Sequence, residues 1–249
     1  MAENKFPTEV VDLPSGGKLY PKDSPLSDGK IEIKYMTAKE EDILTSQNLI
    51  QKGVVIDKLL ESLIVTEGII FDELINGDKD AIMIAARILA YGPDYTVTIP
   101  HPETGAEFEY TFNLTECPFK KIPDSVTSNE FEFELPLSKT KIKYKILTGK
   151  DEKQIAAELK AYEKIQSDVS PELTTRLKNQ IVSVNDSEDK STISGFVENM
   201  LSRDSLALRQ EMIKNSPGVD LKQQIELGGK EVTVNIPMTI DFFWPNIGV

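Results

Sequence analysis

The sequence predicts an α+β fold built from two related modules, each running from a strand through helices to a β-hairpin. The first observation is an internal echo, because residues 29–44 (GKIEIKYMTAKEEDIL) resemble residues 140–155 (TKIKYKILTGKDEKQI). The residues that match at one offset of 111 positions are Thr37 and Thr148, Lys39 and Lys150, and Glu41 and Glu152. The second observation is that alternating segments typical of hairpins end both halves. We therefore predict an internal duplication, with modules at residues 1–125 and 126–249.

The first module opens with an irregular arm and a strand that leads into a capped helix. Residues 12–30 are rich in Gly, Pro and Ser, so we expect an ordered but irregular arm there. Residues 30–35 alternate apolar and charged side chains, which is the pattern of a half-buried strand. Thr37 then precedes Glu40 by three residues, the spacing of a capping box. In that motif each side chain satisfies a backbone N–H that the helix start leaves free.

Helices and a hairpin complete the first module. The apolar residues of 55–64 form a broad helical stripe. The apolar run that follows Asp78 predicts a central, buried helix, which the Gly-Pro pair at 92–93 ends. Two alternating segments, at 94–100 and 107–114, predict a β-hairpin.

The second module repeats this order of elements. The segments FEFELPL and TKIKYKIL predict paired strands, and Thr148 leads into a helix. The side chains expected on one face of that helix are Ile155, Leu159, Tyr162 and Ile165. A further helix is expected to begin at Pro171, and its apolar positions in register are Leu173, Leu177 and Ile181. Two more helices with a break near Ser202 and a hairpin that turns at residues 228–229 complete the module.

An arginine precedes each predicted hairpin. Arg87 lies seven residues before Asp94, and Arg209 lies eleven residues before Asp220. The difference of four residues is about one helical turn, so the same helix face could still present both arginines. A chance coincidence of two capped helices is the alternative to duplication, but it leaves the shared Lys-Ile and Thr-x-Lys positions unexplained.

The charge and hydropathy of the chain exclude several classes of partner. The formal net charge is −13, which argues against nucleic acid because phosphate binding needs clustered Lys and Arg. Anionic membranes are disfavoured for the same reason. The longest apolar run, residues 81–90, is too short to span a bilayer and contains Arg87. Residues 1–11 lack the apolar core of a secretory signal, so we expect the protein in the cytoplasm.

Catalytic, metal and cofactor chemistry are not expected. The chain has one His and one Cys, so a nucleophile paired with a histidine base would have to use His101 or Cys117. His101 lies in the predicted hairpin turn between two prolines, where no third group is expected to orient it. A zinc site from His101, Glu103 and Cys117 lacks a fourth ligand. The stretch SGGKLY lacks the spacing of a phosphate-binding loop.

Two stretches are candidate partner-binding sites. The segment DFFWPN (241–246) places three large aromatic residues together, and such residues dominate the binding energy of protein interfaces. The arm around LPSGGKLYP has the same character. The candidate anchors are Leu13, Tyr20, Pro21, Phe242, Phe243 and Trp244. The alternative for each stretch is that it packs against the core of its own chain, where aromatic side chains bury a large area.

Five stretches taken together resemble the T4-like phage baseplate protein family. They are LPSGGKLYP, GKIEIKYMTAKEEDILTSQNLIQKG, GDKDAIMIAARILAYGPDY, SRDSLALRQEM and IPMTIDFFWP. The resemblance touches both halves and most of the chain. The family contains the baseplate hub subunit and the baseplate hub assembly protein of contractile-tailed phages.

The resemblance implies a non-enzymatic role in assembling the central hub of the phage baseplate, in the cytoplasm of the infected host. The partners it implies are other hub proteins, with the tape-measure protein as a further candidate. Some relatives carry Cys-x-x-Cys motifs in the two hairpins, where this chain has HPETG (101–105) and ELGGKE (226–231), so metal binding is not carried over. Two roles stay open: a structural subunit or adaptor kept in the virion tail, or a transient assembly chaperone absent from the virion. Self-association also stays open.

Overall fold

A computed structural model describes residues 7–101, 105–164, 170–227, 230–238 and 240–243. The elements of the first half, residues 1–125, are β1 (Thr8–Asp12), β2 (Lys30–Lys34), α1 (Ala38–Leu44), α2 (Gln47–Gln51), α3 (Val55–Leu63), α4 (Asn76–Tyr91), β3 (Asp94–Pro100), β4 (Glu107–Asn113) and β5 (Phe119–Lys120). Those of the second half, residues 126–249, are β6 (Phe131–Glu134), β7 (Lys141–Tyr144), α5 (Gly149–Glu163), α6 (Glu172–Gln180), β8 (Ile181–Val184), α7 (Lys190–Glu198), α8 (Ser202–Asn215), β9 (Gly218–Val219), β10 (Lys222–Leu227) and β11 (Lys230–Asn235). The predicted α+β class is confirmed.

The first strands form a two-stranded antiparallel sheet. Strand β1 pairs with β2 so that Thr8 lies opposite Lys34 and Asp12 lies opposite Lys30. The predicted alternation of β2 is confirmed, because Ile31 and Ile33 are buried while Lys30 is exposed. The sequence did not predict β1, whose side chains are exposed at four of five positions and give no apolar alternation.

The predicted capping box at Thr37 is present and joins the helix to the sheet. The backbone N–H and the hydroxyl of Thr37 donate to Glu40 Oε2 at 3.0 and 2.6 Å. Lys34, at the end of β2, donates to Glu40 Oε1 at 2.8 Å. Burial raises the pKa of the Glu40 carboxyl, but the hydrogen bonds from Lys34 and Thr37 outweigh it, so this pKa lies below its ordinary value. The carboxylate therefore stays ionised and ties the strand to α1.

The same arrangement recurs 111 positions later in the second half. The backbone N–H and the hydroxyl of Thr148 donate to Asp151 Oδ2 at 3.0 and 2.9 Å. Lys145, which follows β7, donates to Asp151 Oδ1 at 2.6 Å. Burial again opposes ionisation, and the hydrogen bonds from Lys145 and Thr148 again lower the pKa of the carboxyl overall. Asp151 therefore caps the start of α5 and binds a lysine from the preceding strand region, as Glu40 does for α1.

The predicted central helix is α4, with 16 residues. Its core-facing side includes Ile82 and Ala86, and Gly92 ends it with a φ of 87°. That left-handed value is unfavourable for a residue with a Cβ, which explains the glycine. The predicted hairpin follows directly, since β3 and β4 pair from Asp94 opposite Asn113 to Pro100 opposite Glu107.

The strands of the second half form a three-stranded antiparallel sheet in the order β6-β7-β8. The predicted pairing of β6 with β7 is confirmed, but the prediction that Ile181 continues a helix is wrong. Helix α6 stops at Gln180, and Ile181 begins β8 beside β7. The run Ile-Val-Ser-Val is rich in β-branched residues and pairs with an existing sheet edge, so strand geometry prevails over helical register. Leu173 and Tyr162, which belong to the predicted helical stripes, are 44% and 43% exposed.

The later elements of the second half follow the sequence prediction. Helices α7 and α8 are separate, and Ser202 is the first residue of α8. Strands β10 and β11 form the predicted terminal hairpin, with Lys222 opposite Asn235. The predicted turn at residues 228–229 lies outside the described residues. So does Ile165, the last residue expected in the stripe of α5.

Backbone contacts join the two halves. Strand β5 of the first half pairs with β9 of the second, with Phe119 opposite Val219. The Gly149 N–H donates to the Leu74 carbonyl oxygen at 3.0 Å. One hydrophobic cluster also draws buried residues from both halves. Each half therefore uses the other to cover part of its apolar surface.

The two hairpins make reciprocal contacts across this junction. Tyr95, the second residue of β3, donates its hydroxyl to the Pro237 carbonyl oxygen at 3.2 Å, in the segment after the second hairpin. Gln223, the second residue of β10, donates Nε2–H to Cys117 Sγ at 3.5 Å, in the segment after the first hairpin. The chain that leaves each hairpin thus packs beside the start of the other.

Asp80 in α4 lowers the stability of the fold to an extent that depends on pH. Burial raises the pKa of Asp80 to about 6 from 3.8, with Lys79 opposing the rise and Asp78 adding to it. A carboxyl whose folded pKa exceeds its unfolded pKa stabilises the fold at low pH, and this contribution is lost as the pH rises through about 6.

We therefore expect Asp80→Asn to raise the free energy of unfolding by about 2 kcal/mol at pH 7.5, after allowing for partial exposure, and by much less at pH 4.5. Urea unfolding at the two pH values measures the difference. An equal gain at both pH values would show that ionisation of Asp80 is not the cause.

Candidate partner-binding surface

The arm residues Leu13 and Tyr20 are buried in their own chain, whereas Pro21 is exposed. The Tyr20 hydroxyl donates to Asp78 Oδ2 at 2.6 Å and accepts from the Ile75 N–H at 3.0 Å. Burial raises the pKa of Tyr20, and the neighbouring Asp78 carboxylate raises it further. The hydroxyl is therefore a permanent donor that fixes the arm on the start of α4.

Asp78 holds the arm at a second point, because its Oδ1 accepts from the Ser15 N–H at 2.9 Å. Burial raises the pKa of Asp78, while the hydrogen bonds from Tyr20 and Ser15 lower it and offset part of that rise. The arm is thus ordered by a buried polar cluster as well as by its apolar side chains.

Removing the Tyr20 hydroxyl tests this cluster. We expect Tyr20→Phe to lower the free energy of unfolding by about 2 kcal/mol, because Asp78 loses a donor and the Ile75 N–H loses its acceptor. Tyr162→Phe is the matched control and should change stability by less than about 0.5 kcal/mol, since Tyr162 lies on an exposed face. Equal effects of the two substitutions, measured by urea unfolding, would contradict the buried role of the Tyr20 hydroxyl.

The aromatic residues near the C-terminus also pack inward. Phe242 is 0% exposed and meets Tyr95 edge to face, with ring centroids 5.0 Å apart. Phe243 is buried beside it, at a centroid distance of 5.4 Å. The Phe242 carbonyl oxygen accepts from Arg87 Nε at 2.9 Å. Trp244, the third predicted anchor here, lies outside the described residues.

The burial of Leu13, Tyr20, Phe242 and Phe243 is the arrangement expected of the core alternative. The arm and the C-terminal aromatic segment thereby pack on opposite ends of α4, since Tyr20 contacts Asp78 and Phe242 contacts Arg87. Contact between the six anchor residues and another protein is not tested by this arrangement and stays a prediction.

The structure also contains an apolar groove that the sequence did not predict, between α6 and α8. It encloses a cavity of about 230 Å³. Leu177 and Met212 are buried at its base, while Leu173 and Ile213 are 44% and 66% exposed. Two arginines, Arg176 and Arg209, also line the groove. When large, exposed apolar side chains share one groove, they are more typical of an interaction surface than of a helix face in contact with water.

The two arginines of the groove differ in their partners. Arg176 pairs with both carboxylate oxygens of Glu152, at 2.6 and 3.0 Å, and this hydrogen bonding raises the pKa of Arg176. Arg209 donates Nε–H to the Ser205 carbonyl oxygen of its own helix at 3.3 Å. Within the described part of the chain, no ion pair involves Arg209. The two arginines that precede the hairpins differ in burial, since Arg87 is 4% exposed and Arg209 is exposed.

Both residues that the sequence offers for nucleophilic catalysis, His101 and Cys117, lie in the described part of the structure. Cys117 is buried, and burial raises the pKa of its thiol. The His101 ring packs near Phe108. Among the residues with described positions, no group of three or more His, Cys, Asp or Glu side chains is placed to hold a metal ion. None of the helices in the same residues has the length and apolar content needed to cross a membrane.

Comparison with known protein families identifies the family of this chain. A family model described as T4 bacteriophage base plate protein matches residues 6–244, which runs through both halves and covers nearly the whole chain. No curated protein and no solved structure matches the chain.

Proposed function

Because the chain belongs to the T4 bacteriophage base plate protein family, as its sequence predicted, we propose that it is a structural subunit or adaptor of the baseplate central hub. Its task is to bind other hub proteins during tail assembly, with the tape-measure protein as a candidate partner. The observation that carries this proposal is the family match over residues 6–244, since a match of that length leaves no room for a second, unrelated domain within those residues. The family implies a component of the virion tail.

Duplication of one folding unit is part of the proposal, with modules at residues 1–125 and 126–249. The capping contacts of Thr37 and Thr148 support it, because they use equivalent atoms 111 positions apart. The lysines that bind the capping acids, Lys34 and Lys145, are separated by the same 111 positions. Agreement in bonding atoms is a stricter condition than agreement in residue type.

A pair of buried aspartates supports the same proposal. Asp78 and Asp204 are each the third residue of their helix, α4 and α8. Asp78 accepts hydrogen bonds from the loop between β1 and β2. Asp204 accepts from the N–H groups of Leu137 and Ser138, at 2.8 and 3.0 Å, in the loop between β6 and β7. In both halves one carboxylate at the positive end of the long helix holds the loop that joins the first two strands.

The proposed duplication suits a hub adaptor. Two related modules whose surface residues have diverged present two related but unequal docking surfaces. The reciprocal contacts of Tyr95 and Gln223 with the segments that follow the other hairpin support a fixed relation between the modules. A chain of this kind holds two neighbours in one geometry and needs no catalytic group, so we propose that it is not an enzyme.

Assembly takes place in the host cytoplasm in this proposal, and the protein then remains in the tail. Quantitative mass spectrometry of purified virions tests whether the protein remains in the tail. A structural subunit must be present at a fixed ratio to other baseplate proteins. Absence from purified particles, together with its presence in infected cells, would contradict a structural subunit and support a transient assembly chaperone.

A further inference from the structure

We infer that the groove between α6 and α8 is a docking site for a short segment of another baseplate protein that carries a large apolar or aromatic side chain next to a carboxylate. The inference rests on the proposed function for the source of that segment. The groove itself is argued from three separate observations on the described residues: exposed apolar area, charge, and a comparison with α4.

The apolar area of the groove is unusual for a solvated surface. Ile213 on α8 is 66% exposed, and Leu173 on α6 is 44% exposed, on the two sides of one cavity of about 230 Å³. Leu177 and Met212 close the base. A large side chain inserted between Ile213 and Leu173 would remove apolar surface on both helices from water, which is the main favourable term in association.

The positive charge of the groove favours a bound segment in which an acidic residue lies next to the inserted apolar side chain. The chain has 41 acidic and 28 basic residues, so its net charge of −13 repels an acidic segment. Arg209 is an exposed cation at the groove that forms no ion pair with the described residues. A guanidinium presents paired N–H donors that match the two oxygens of a carboxylate. Arg176 is already bound to Glu152 and forms the other polar side.

Under the proposed duplication, the position on α4 that corresponds to Ile213 is Arg87, and this position is covered. Ile213 lies nine residues after the buried Asp204 of α8, and Arg87 lies nine residues after the buried Asp78 of α4. Arg87 is 4% exposed, and the Phe242 carbonyl oxygen of the segment Ile240–Phe243 accepts from its Nε–H.

The side chains described in that covering segment are those of Phe242 and Phe243, and both are buried. On α8 the corresponding segment is the one that follows the first hairpin and contains Lys120. The Lys120 ammonium donates to the Ile213 carbonyl oxygen near the end of the helix, but the Ile213 side chain stays exposed. Among the residues whose positions are described, none covers the groove on α8 as Phe242 covers α4.

A peptide array tests the inference. The array carries overlapping peptides that tile the tail proteins of the phage encoding this chain, together with peptides that tile the chain itself. It is probed with the intact protein and with Arg209→Glu, Ile213→Glu and Arg209→Lys variants. Ile70→Glu is the matched control, because Ile70 is 59% exposed in the other half.

We expect the intact protein to bind tail-protein peptides that combine a large apolar residue with Asp or Glu. Arg209→Glu and Ile213→Glu should each weaken that binding by about tenfold or more, as expected for residues at the centre of an interface. Arg209→Lys should retain part of it, and Ile70→Glu should retain all of it. Melting temperatures should stay unchanged, since both groove residues are exposed.

Three results would overturn the inference. The first is that groove variants bind every peptide as the intact protein does. The second is that the groove-dependent peptides are basic, and the third is that they come only from this chain, which would make the occupant a second copy. If the groove variants bind every peptide as the intact protein does and also co-purify baseplate proteins from infected cells, the groove assignment fails while the proposed function stands.

Discussion

Phe242→Ala is expected to lower the free energy of unfolding by about 3–5 kcal/mol, the cost of deleting a fully buried aromatic side chain. Phe242 has no exposed surface and packs edge to face against both Tyr95 and Phe243. Its removal opens a cavity at the point where the C-terminal segment meets α4 and β3. Urea denaturation followed by far-ultraviolet circular dichroism measures the change.

Tyr162→Ala is the control for aromatic truncation, because Tyr162 is 43% exposed on α5. We expect that variant to lose less than about 1 kcal/mol. A loss below 1 kcal/mol for Phe242→Ala as well would contradict the core role of this segment. Combined with weaker binding to baseplate proteins, it would favour the alternative in which the aromatic residues are interface anchors.

Gly77→Ala is the second substitution with a large expected effect, about 2–3 kcal/mol of destabilisation. Gly77 lies in the first turn of α4, against the backbone that leads into β9. A Cβ built at Gly77 would lie 2.0 Å from the Pro217 carbonyl oxygen and 2.6 Å from its carbonyl carbon. Backbone atoms cannot move aside as a flexible side chain can, so α4 and β9 must separate.

Gly195→Ala is the matched glycine control and should have the opposite sign. Gly195 is exposed within α7, and a Cβ there meets no atom within 4 Å among the described residues. Alanine is favoured over glycine inside a helix, so we expect stabilisation of about 0.5–1 kcal/mol. A neutral or stabilising Gly77→Ala in thermal and urea unfolding would contradict the close contact between the two halves.

The elements that could be predicted from the sequence are those with strong local signals. The capping boxes at Thr37 and Thr148 are specified within four residues. The length of α4 follows from a long apolar run and its end from Gly92. The two hairpins follow from alternation on both sides of a polar turn. In each case the residues that decide the structure lie next to one another in the chain.

The elements that were missed depend on distant partners. Strands β5 and β9 have two residues each and exist because Phe119 and Val219 are brought together from different halves. Ile181 has the register of a helical stripe, yet β7 offers it a sheet edge. Periodicity cannot decide between helix and strand for Ile181, because its sheet partner Tyr144 lies 37 residues earlier in the sequence (181 − 144).

The candidate site was predicted only in part for the same reason. Aromatic content identified Phe242 and Phe243 as important residues, but sequence alone left open whether they face a core or a partner, and the structure places them inward. The groove between α6 and α8 was not predicted, because its exposed residues, Leu173 and Ile213, belong to helices that are distant in sequence. Many buried residues are also apolar, so residue type alone does not identify Leu173 and Ile213 as exposed.

The most direct test of the central claim is the composition of the complex that the protein forms in infected cells. A tagged copy is expressed during infection, purified under native conditions and characterised by quantitative mass spectrometry, with the unrelated tag alone as the control. We expect baseplate hub proteins to co-purify in stable ratios to the tagged chain. Recovery of the folded protein with no tail protein above the control would contradict its role as a baseplate adaptor.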